Sequence, residues 1–194
     1  MCGTMANYMS ILWDDMSDGP GVRCGVYWSG CELRCEGCWS PRTWNPRLGH
    51  EMTSEVMGRV LDRCSDPEVS GLSMLGGDPF YPTTVPAALE LVRGFRRRFG
   101  RGAGKTVWAW SGYTFDELWG HPARRALLVE LDVLVDGPFV LSRRDLSLPF
   151  MGSGNQRVID VVGTVRGRSS GSLETGGVVV LDEYMSAPVK PAVR

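Results

Sequence analysis

Three cysteines lie close together in one short stretch of the chain, and their thiolates could bind a metal centre. Cys31, Cys35 and Cys38 fall within eight residues, in the spacing CxxxCxxC. Thiolates are soft, anionic ligands that suit iron–sulfur clusters, zinc or Cu(I), and a loop this short can place all three around one inorganic centre. A structural zinc site or an ordinary cluster takes four protein ligands. Three thiolates therefore predict a [4Fe–4S] cluster with one iron left open to a cofactor, with zinc as the alternative.

The composition limits what kind of protein this is. The chain has 194 residues, a formal net charge of −1, 6 cysteines and 2 histidines. It is long enough for one domain with a substantial core, and it lacks the basic excess of a nucleic-acid-binding protein. A metal site built from histidines is disfavoured, although His50 could complete a zinc site. Cys24 lies in a strand pattern and Cys64 in a helical pattern, so we expect both to be small core residues.

The start of the sequence does not have the form of a targeting segment. Residues 1–15 contain neither a basic leader nor a sustained apolar run, and no stretch reaches the roughly 18 apolar residues of a membrane span. We therefore expect a cytoplasmic protein with no membrane and no nucleic-acid partner. In that reducing compartment cysteines stay as thiols, which favours metal ligation over disulfides for the clustered cysteines.

Apolar runs separated by glycine and proline predict strands that alternate with helices, and hence an α/β domain with a mainly parallel sheet. Thr114 and Glu117 have the spacing of a capping box. Residues 166–177 and the tail 186–194 have little to bury, and we expect both to be mobile. The predicted strands are 22–28, 72–75, 105–110, 132–136, 158–162 and 178–181. The predicted helices start at 53 or 54, near 86, at 114 and at 123.

The most unusual segments directly follow the predicted strands. The cysteine loop comes after strand 22–28, and the segment Gly-Gly-Asp-Pro at 76–79 comes after the second strand. Ser-Gly-Tyr at 111–113 and Asp-Gly-Pro at 136–138 follow the third and fourth strands. The C-terminal ends of parallel strands lie at one edge of a sheet, where ligands bind. We therefore expect these four segments to converge around one site.

The glycine pair at the end of the second strand has two explanations. Gly76 and Gly77 let the backbone approach a ligand where a Cβ atom would collide, and their N–H and C=O groups can bind the ammonium and carboxylate groups of an amino acid. Asp78 adds a negative charge. A strand-ending turn explains the same residues without a ligand. The cysteine motif favours the ligand-binding interpretation.

Trp39 immediately follows the third cysteine. An aromatic ring in this position can shield a cluster from water. An isolated tryptophan is more often a core residue, so the position beside the cysteines is the reason to consider a role at the site.

The cysteine spacing resembles that of the radical S-adenosylmethionine (SAM) superfamily, in which the open iron of the cluster binds SAM. A narrower resemblance, to anaerobic ribonucleoside-triphosphate reductase activating proteins, rests on several segments that recur there in the same order. It covers about residues 7–162. Gly154 stands where that family commonly has serine, and Trp39 replaces a smaller or single-ring residue. The segments are NY at 7–8, DGPGVR at 18–23, LGGDP at 75–79, WAWSGYTFDEL at 108–118, DVLVDGPF at 132–139 and GSGNQRVID at 152–160.

This resemblance implies a fold, a reaction and two partners. It implies one radical SAM domain over residues 1–185, built as an open, partial β/α barrel, with a disordered tail. The clustered cysteines would bind the cluster and carry the catalysis, in which a 5′-deoxyadenosyl radical from SAM abstracts hydrogen from a glycine of the reductase's large catalytic subunit. A flavodoxin-type donor would supply the electron. The residues that the resemblance places against SAM are Gly37, Cys38, Trp39, Gly76, Gly77 and Asp78.

Two other interpretations stay open at this point. One is a small radical SAM enzyme that acts on a small molecule, of the deazapurine synthase type, although the segments SGYT at 111–114 and VDGPF at 135–139 speak against it. The other is a non-catalytic zinc or iron–sulfur module, which metal analysis would distinguish from an enzyme.

Overall fold

A computed structural model of the protein describes residues 6–102, 104–174 and 176–185. The tail predicted at 186–194 lies outside these residues. The strands are β1 (Asn7–Asp15), β2 (Val22–Trp28), β3 (His50–Glu51), β4 (Val69–Gly76), β5 (Thr106–Trp110), β6 (Val133–Asp136), β7 (Arg157–Asp160) and β8 (Val179–Val180). They form one sheet in the order β3-β1-β2-β4-β5-β6-β7-β8.

The helices begin at the residues whose side chains can cap them. Thr53 accepts a hydrogen bond from the N–H of Val56, and Thr114 and Glu117 form the predicted capping box. No helix within the described ranges is long and apolar enough to cross a membrane. The helices are α1 (Ser54–Arg63), α2 (Val85–Phe99), α3 (Phe115–Gly120), α4 (Pro122–Leu128) and α5 (Val161–Ser170).

Strands β2, β4, β5 and β6 pair in parallel, which confirms the predicted arrangement for the middle of the sheet. The flanking pairs β1–β2, β1–β3, β6–β7 and β7–β8 are antiparallel. The connections explain the difference, because helices link the parallel strands whereas β1 reaches β2 through a short turn. The result is an open, mixed sheet rather than a sheet that is parallel throughout.

The helices cover one face of this sheet, and loops cover the other. Along β5, Val107 faces the helices while Trp108 and Trp110 face the opposite side. The core on the first face receives side chains from all five helices. The core on the second face combines strand residues with residues 148–151 and 181–185, and no residue of helices α1 to α5 joins it within the described part of the chain. We call this second face the helix-free face.

Helix α5 differs from the prediction. The sequence predicted a strand at 158–162 and a mobile segment at 166–177, but the strand ends at Asp160 and the helix starts at the next residue. The Asp160 side chain accepts a first-turn N–H at 2.9 Å, and Thr164 Oγ1 donates to the Asp160 carbonyl at 2.7 Å. Glycine and serine have weak helix propensity. Packing of Val161 and Thr164 against the sheet therefore stabilises a helix that local sequence does not indicate.

Candidate functional site

Four loops converge at the C-terminal ends of the parallel strands, which confirms the expected arrangement. Backbone hydrogen bonds join the first two loops. The N–H of Gly77 donates to the Trp28 carbonyl at 2.8 Å, and the N–H of Asp78 donates to the Gly30 carbonyl at 2.8 Å. The N–H of Gly30 donates in turn to the Thr43 carbonyl at 2.7 Å. The start of the cysteine loop is therefore fixed to the edge of the sheet.

The clustered cysteines lie half-buried on one bent loop, and all three carry free thiols. The bends come from residues in the left-handed region, with φ of 105° at Gly30, 46° at Arg34 and 70° at Gly37. The N–H of Cys38 donates to the carbonyl of Cys35 at 3.2 Å, which closes a turn between the second and third cysteine. This turn holds the last two cysteines on one short bend.

The donor set fits an iron–sulfur centre bound by three thiolates. Cys24 and Cys64 are fully buried in the core, as expected, and so do not belong to the loop. In the part of the chain that the structure describes, no three His, Cys, Asp or Glu side chains stand in a metal-binding arrangement, so the thiols would draw together on binding. Burial raises the pKa of the Cys31 thiol to about 11, and the Asp78 carboxylate adds to the rise. Metal binding would displace this proton and would therefore strengthen as the pH rises.

The glycine pair is required by close packing beneath the cysteine loop. Gly76 has a φ of 101°, and a Cβ atom there would lie 2.8 Å from the backbone N of Trp28. A Cβ atom on Gly77 would lie 2.4 Å from the carbonyl oxygen of Gly30. Both distances are too short for any other residue without a shift of the backbone. The strand-ending turn considered from the sequence is thus present, and contact between these glycines and SAM stays a prediction.

Asp78 is buried, with 1% of its surface exposed. Its carboxylate accepts hydrogen bonds from the N–H of Phe80 at 2.8 Å, from the N–H of Gly112 at 3.0 Å and from Ser111 Oγ at 3.0 Å. Burial raises the pKa of Asp78 to about 6, although these donors favour the charged form. The side chain is satisfied within the protein, and it holds the Ser-Gly-Tyr segment against the Gly-Gly-Asp-Pro segment.

Glu32, the residue after the first cysteine, is held by Tyr113 and Arg124. The Tyr113 hydroxyl donates to Glu32 Oε1. Arg124 Nη2 donates to the same oxygen at 3.1 Å and to the Tyr113 hydroxyl at 2.8 Å. The Arg124 guanidinium lies 3.9 Å from the centroid of the Tyr113 ring, and its Nε donates to the Phe80 carbonyl at 3.0 Å. We call these three side chains the Glu32 clasp.

The contacts within the Glu32 clasp favour a charged Glu32 and a protonated Tyr113. The hydrogen bond from Tyr113, followed by the interaction with Arg124, lowers the pKa of Glu32, so this side chain is a carboxylate at neutral pH. Burial raises the pKa of Tyr113, so its hydroxyl keeps the proton that it donates. Sequence reasoning singled out Tyr113 only as part of a segment. It missed Arg124, which lies 92 residues from Glu32 and carries no local signal of the contact.

The two remaining predicted site residues differ in their surroundings. Gly37 lies against the turn at Leu141–Arg143, and a Cβ atom on it would lie 2.8 Å from Leu141 Cδ1. Trp39 is 88% exposed beside Cys38, so the alternative of a core tryptophan is wrong. The predicted contact of both residues with SAM stays a prediction.

Comparison with known proteins agrees with the thiol-rich loop. Residues 17–159 match the family model of a 4Fe–4S single cluster domain. A protein of Vibrio cholerae is 38% identical over 152 residues, which cover 77% of this chain and 95% of that protein. A protein of Escherichia coli K12 is 37% identical over 154 residues, covering 78% and 97%, and one of bacteriophage T4 is 33% identical over 152 residues, covering 78% and 92%. All three are named anaerobic ribonucleoside-triphosphate reductase-activating protein.

Proposed function

The chain belongs to the family of anaerobic ribonucleoside-triphosphate reductase-activating proteins, and we propose that it activates the anaerobic reductase by reductive cleavage of SAM. Cys31, Cys35 and Cys38 would hold a [4Fe–4S] cluster, which would supply the electron for cleavage of SAM to a 5′-deoxyadenosyl radical that takes a hydrogen atom from a glycine of the reductase. One observation carries the proposal. Three free thiols share one loop at the C-terminal edge of the parallel strands, within the segment that matches a 4Fe–4S domain.

The chain's own residues would hold and orient the ligand loop. Gly77 and Asp78 bond to the backbone at the start of the loop, and the Glu32 clasp fixes the residue beside the first thiol. Loop geometry that is set by such supporting contacts keeps ligands in place when a metal centre binds or changes charge. We infer that these contacts position Cys31 in particular.

We place SAM at the edge where the four loops meet, on the side of the helix-free face. Four parallel strands with helices on one side only support an open, partial β/α barrel of the radical SAM type. The residues assigned to the SAM site are Gly37, Cys38, Trp39, Gly76, Gly77 and Asp78. Asp78 would act through its neighbours, because its carboxylate is already bonded to the segment 111–112.

The partners follow from the same proposal. The names of the relatives identify a reductase as the protein that they activate, and we propose that the large catalytic subunit of such a reductase presents its glycine to this edge. An enzyme that cleaves SAM reductively also needs a source of single electrons, and we propose a flavodoxin-type protein for that role.

Anaerobic reconstitution with iron and sulfide tests the proposal. We expect about four iron atoms per chain, as a [4Fe–4S] cluster requires, and formation of 5′-deoxyadenosine from SAM under reducing conditions. Addition of the anaerobic ribonucleotide reductase should produce a glycyl-radical doublet in the electron paramagnetic resonance (EPR) spectrum, and pyruvate formate-lyase should give none. Tightly bound zinc without 5′-deoxyadenosine would identify a non-catalytic module. Formation of 5′-deoxyadenosine together with a glycyl-radical doublet on the lyase but not on the reductase would contradict the assigned partner.

A further inference from the structure

An open cleft of about 650 Å³ lies beside the cysteine loop, and two arginines line it. Cys31, Arg34 and Arg42 line it together with Glu32, whose charge is paired with Arg124 in the Glu32 clasp. Arg47 lies between two further residues of the lining, at 46 and 48. Residues 31–49 contain three arginines and two glutamates, Glu32 and Glu36. Because Glu32 is already paired with Arg124, this part of the surface carries an excess of positive charge although the whole chain has a net charge of −1.

The arginines of this surface carry charges that no carboxylate among the described residues balances. Arg34, Arg42 and Arg47 are exposed, and within the described residues none of them forms an ion pair or a side-chain hydrogen bond. Eight of the fifteen other arginines in the described residues are paired with carboxylates, and their charges are thereby balanced. The paired arginines are Arg63, Arg93, Arg96, Arg98, Arg101, Arg124, Arg157 and Arg168.

An exposed aromatic side chain adjoins these charges. Trp39, at 88% exposure, follows Cys38 directly and precedes the turn that contains Arg42. Tryptophan and arginine are the residue types that most often dominate the binding energy of protein interfaces. We define the basic face as Arg34, Trp39, Arg42 and Arg47.

We propose that the basic face docks an acidic one-electron carrier protein. Unpaired positive charges raise the rate at which an oppositely charged partner arrives, and they orient it before contact. The face also lies against the ligand loop, since Cys31 lines the cleft and Trp39 adjoins Cys38. A docked carrier would lose one electron and the cluster would gain it, with no bond formed or broken. This inference rests on the proposed function, and it adds the route by which the electron enters.

Charge reversal at Arg42 and Arg47, the two arginines of the face that lie outside residues 31–38, tests the docking surface. The variant Arg42→Glu/Arg47→Glu leaves the ligand loop itself unchanged. Arg97→Glu is the matched control, because Arg97 is exposed on α2 and forms no ion pair with the described residues. The reduction rate of the reconstituted cluster is measured by stopped-flow bleaching, with a reduced acidic flavodoxin as donor over a range of ionic strengths. Photoreduced deazaflavin serves as a small-molecule donor.

We expect the double variant to lower the rate with flavodoxin about tenfold or more at low ionic strength, and to weaken its dependence on salt. Arg97→Glu should behave as wild type, and deazaflavin should reduce all three proteins at the same rate. A flavodoxin rate that is indifferent to the reversals would overturn the docking proposal. The docking proposal would also be overturned if the reversals weakened binding of the reductase and left the flavodoxin rate unchanged, since the basic face would then be a binding surface for the reductase. A wild-type chain that binds no reducible cluster would overturn the proposed function as well. Deazaflavin distinguishes this case, because it reduces a bound cluster without docking at the basic face.

Discussion

Removal of the Tyr113 hydroxyl should loosen the loop that carries the cysteines. In the Glu32 clasp this hydroxyl donates to Glu32 and accepts from Arg124. The variant Tyr113→Phe removes both hydrogen bonds and keeps the ring on which Arg124 stacks at 3.9 Å. The Arg124–Glu32 contact at 3.1 Å also stays. The substitution therefore isolates the contribution of one polar group.

The size of the effect follows from the exposure of the partners. A hydrogen bond to a charged group contributes about 1.5–3 kcal/mol to stability. The Glu32 side chain is 52% exposed, so water can replace much of what Tyr113 supplies, whereas Arg124 is only 14% exposed. We expect the free energy of unfolding to fall by about 1 kcal/mol, which corresponds to a loss of about 2–4 °C in Tm for a chain of this length.

Two measurements check this prediction. Thermal unfolding of the metal-free protein gives the stability, and the EPR spectrum with the midpoint potential of the reconstituted cluster reports the position of the ligand loop. Tyr184→Phe is the control, because the Tyr184 hydroxyl has no hydrogen-bond partner among the described residues, although its ring packs on Trp108. If Tyr113→Phe and Tyr184→Phe lose the same stability and leave the cluster spectrum unchanged, the clasp does not position the loop.

Three further changes have expected outcomes. Alanine at any one of the three loop cysteines should abolish the cluster in iron analysis, whereas Cys64→Ala should retain it, with some loss of stability from the cavity. Gly77→Ala should destabilise the fold by about 1–3 kcal/mol in urea unfolding, since its Cβ would meet the Gly30 carbonyl at 2.4 Å, while Gly58→Ala on α1, with open space around it, should not. Burial raises the pKa of Asp18 to about 7, so the folded state retains its proton and stability should fall as pH rises from about 4 to about 7. Asp18→Asn should flatten that part of the pH profile, and an unchanged slope would contradict the assignment.

The sequence predicted those elements whose structure depends only on residues within the same segment. The strand at 22–28 and the helix starts at Thr53 and Thr114 depend on β-branched content and on capping side chains, which the sequence displays directly. The convergence of the four loops followed as well, because parallel strands joined by helices must bring their C-terminal ends to one edge.

Strand β1 was not predicted, because its apolar and polar residues do not alternate in the sequence as its buried and exposed side chains do in the structure. Ile11, Leu12 and Trp13 form a continuous apolar run, yet Leu12 is 42% exposed while its two neighbours pack on the core. The pairing of β1 with β2 also contains two register shifts, which disturb the period of two that identifies a strand.

Contacts from distant parts of the chain help to fix the cysteine loop. Gly77 and Asp78 hold its start from below, and Arg124 reaches it from α4 through Glu32. Trp39 and the arginines of the basic face are exposed to solvent. A protein that docks there would therefore meet a loop whose backbone is already anchored, and it would not have to order that loop at a cost in entropy. For this reason we expect substitutions in the Glu32 clasp to alter the cluster itself, and charge reversal at Arg42 and Arg47 to alter only the rate at which a protein donor reduces it.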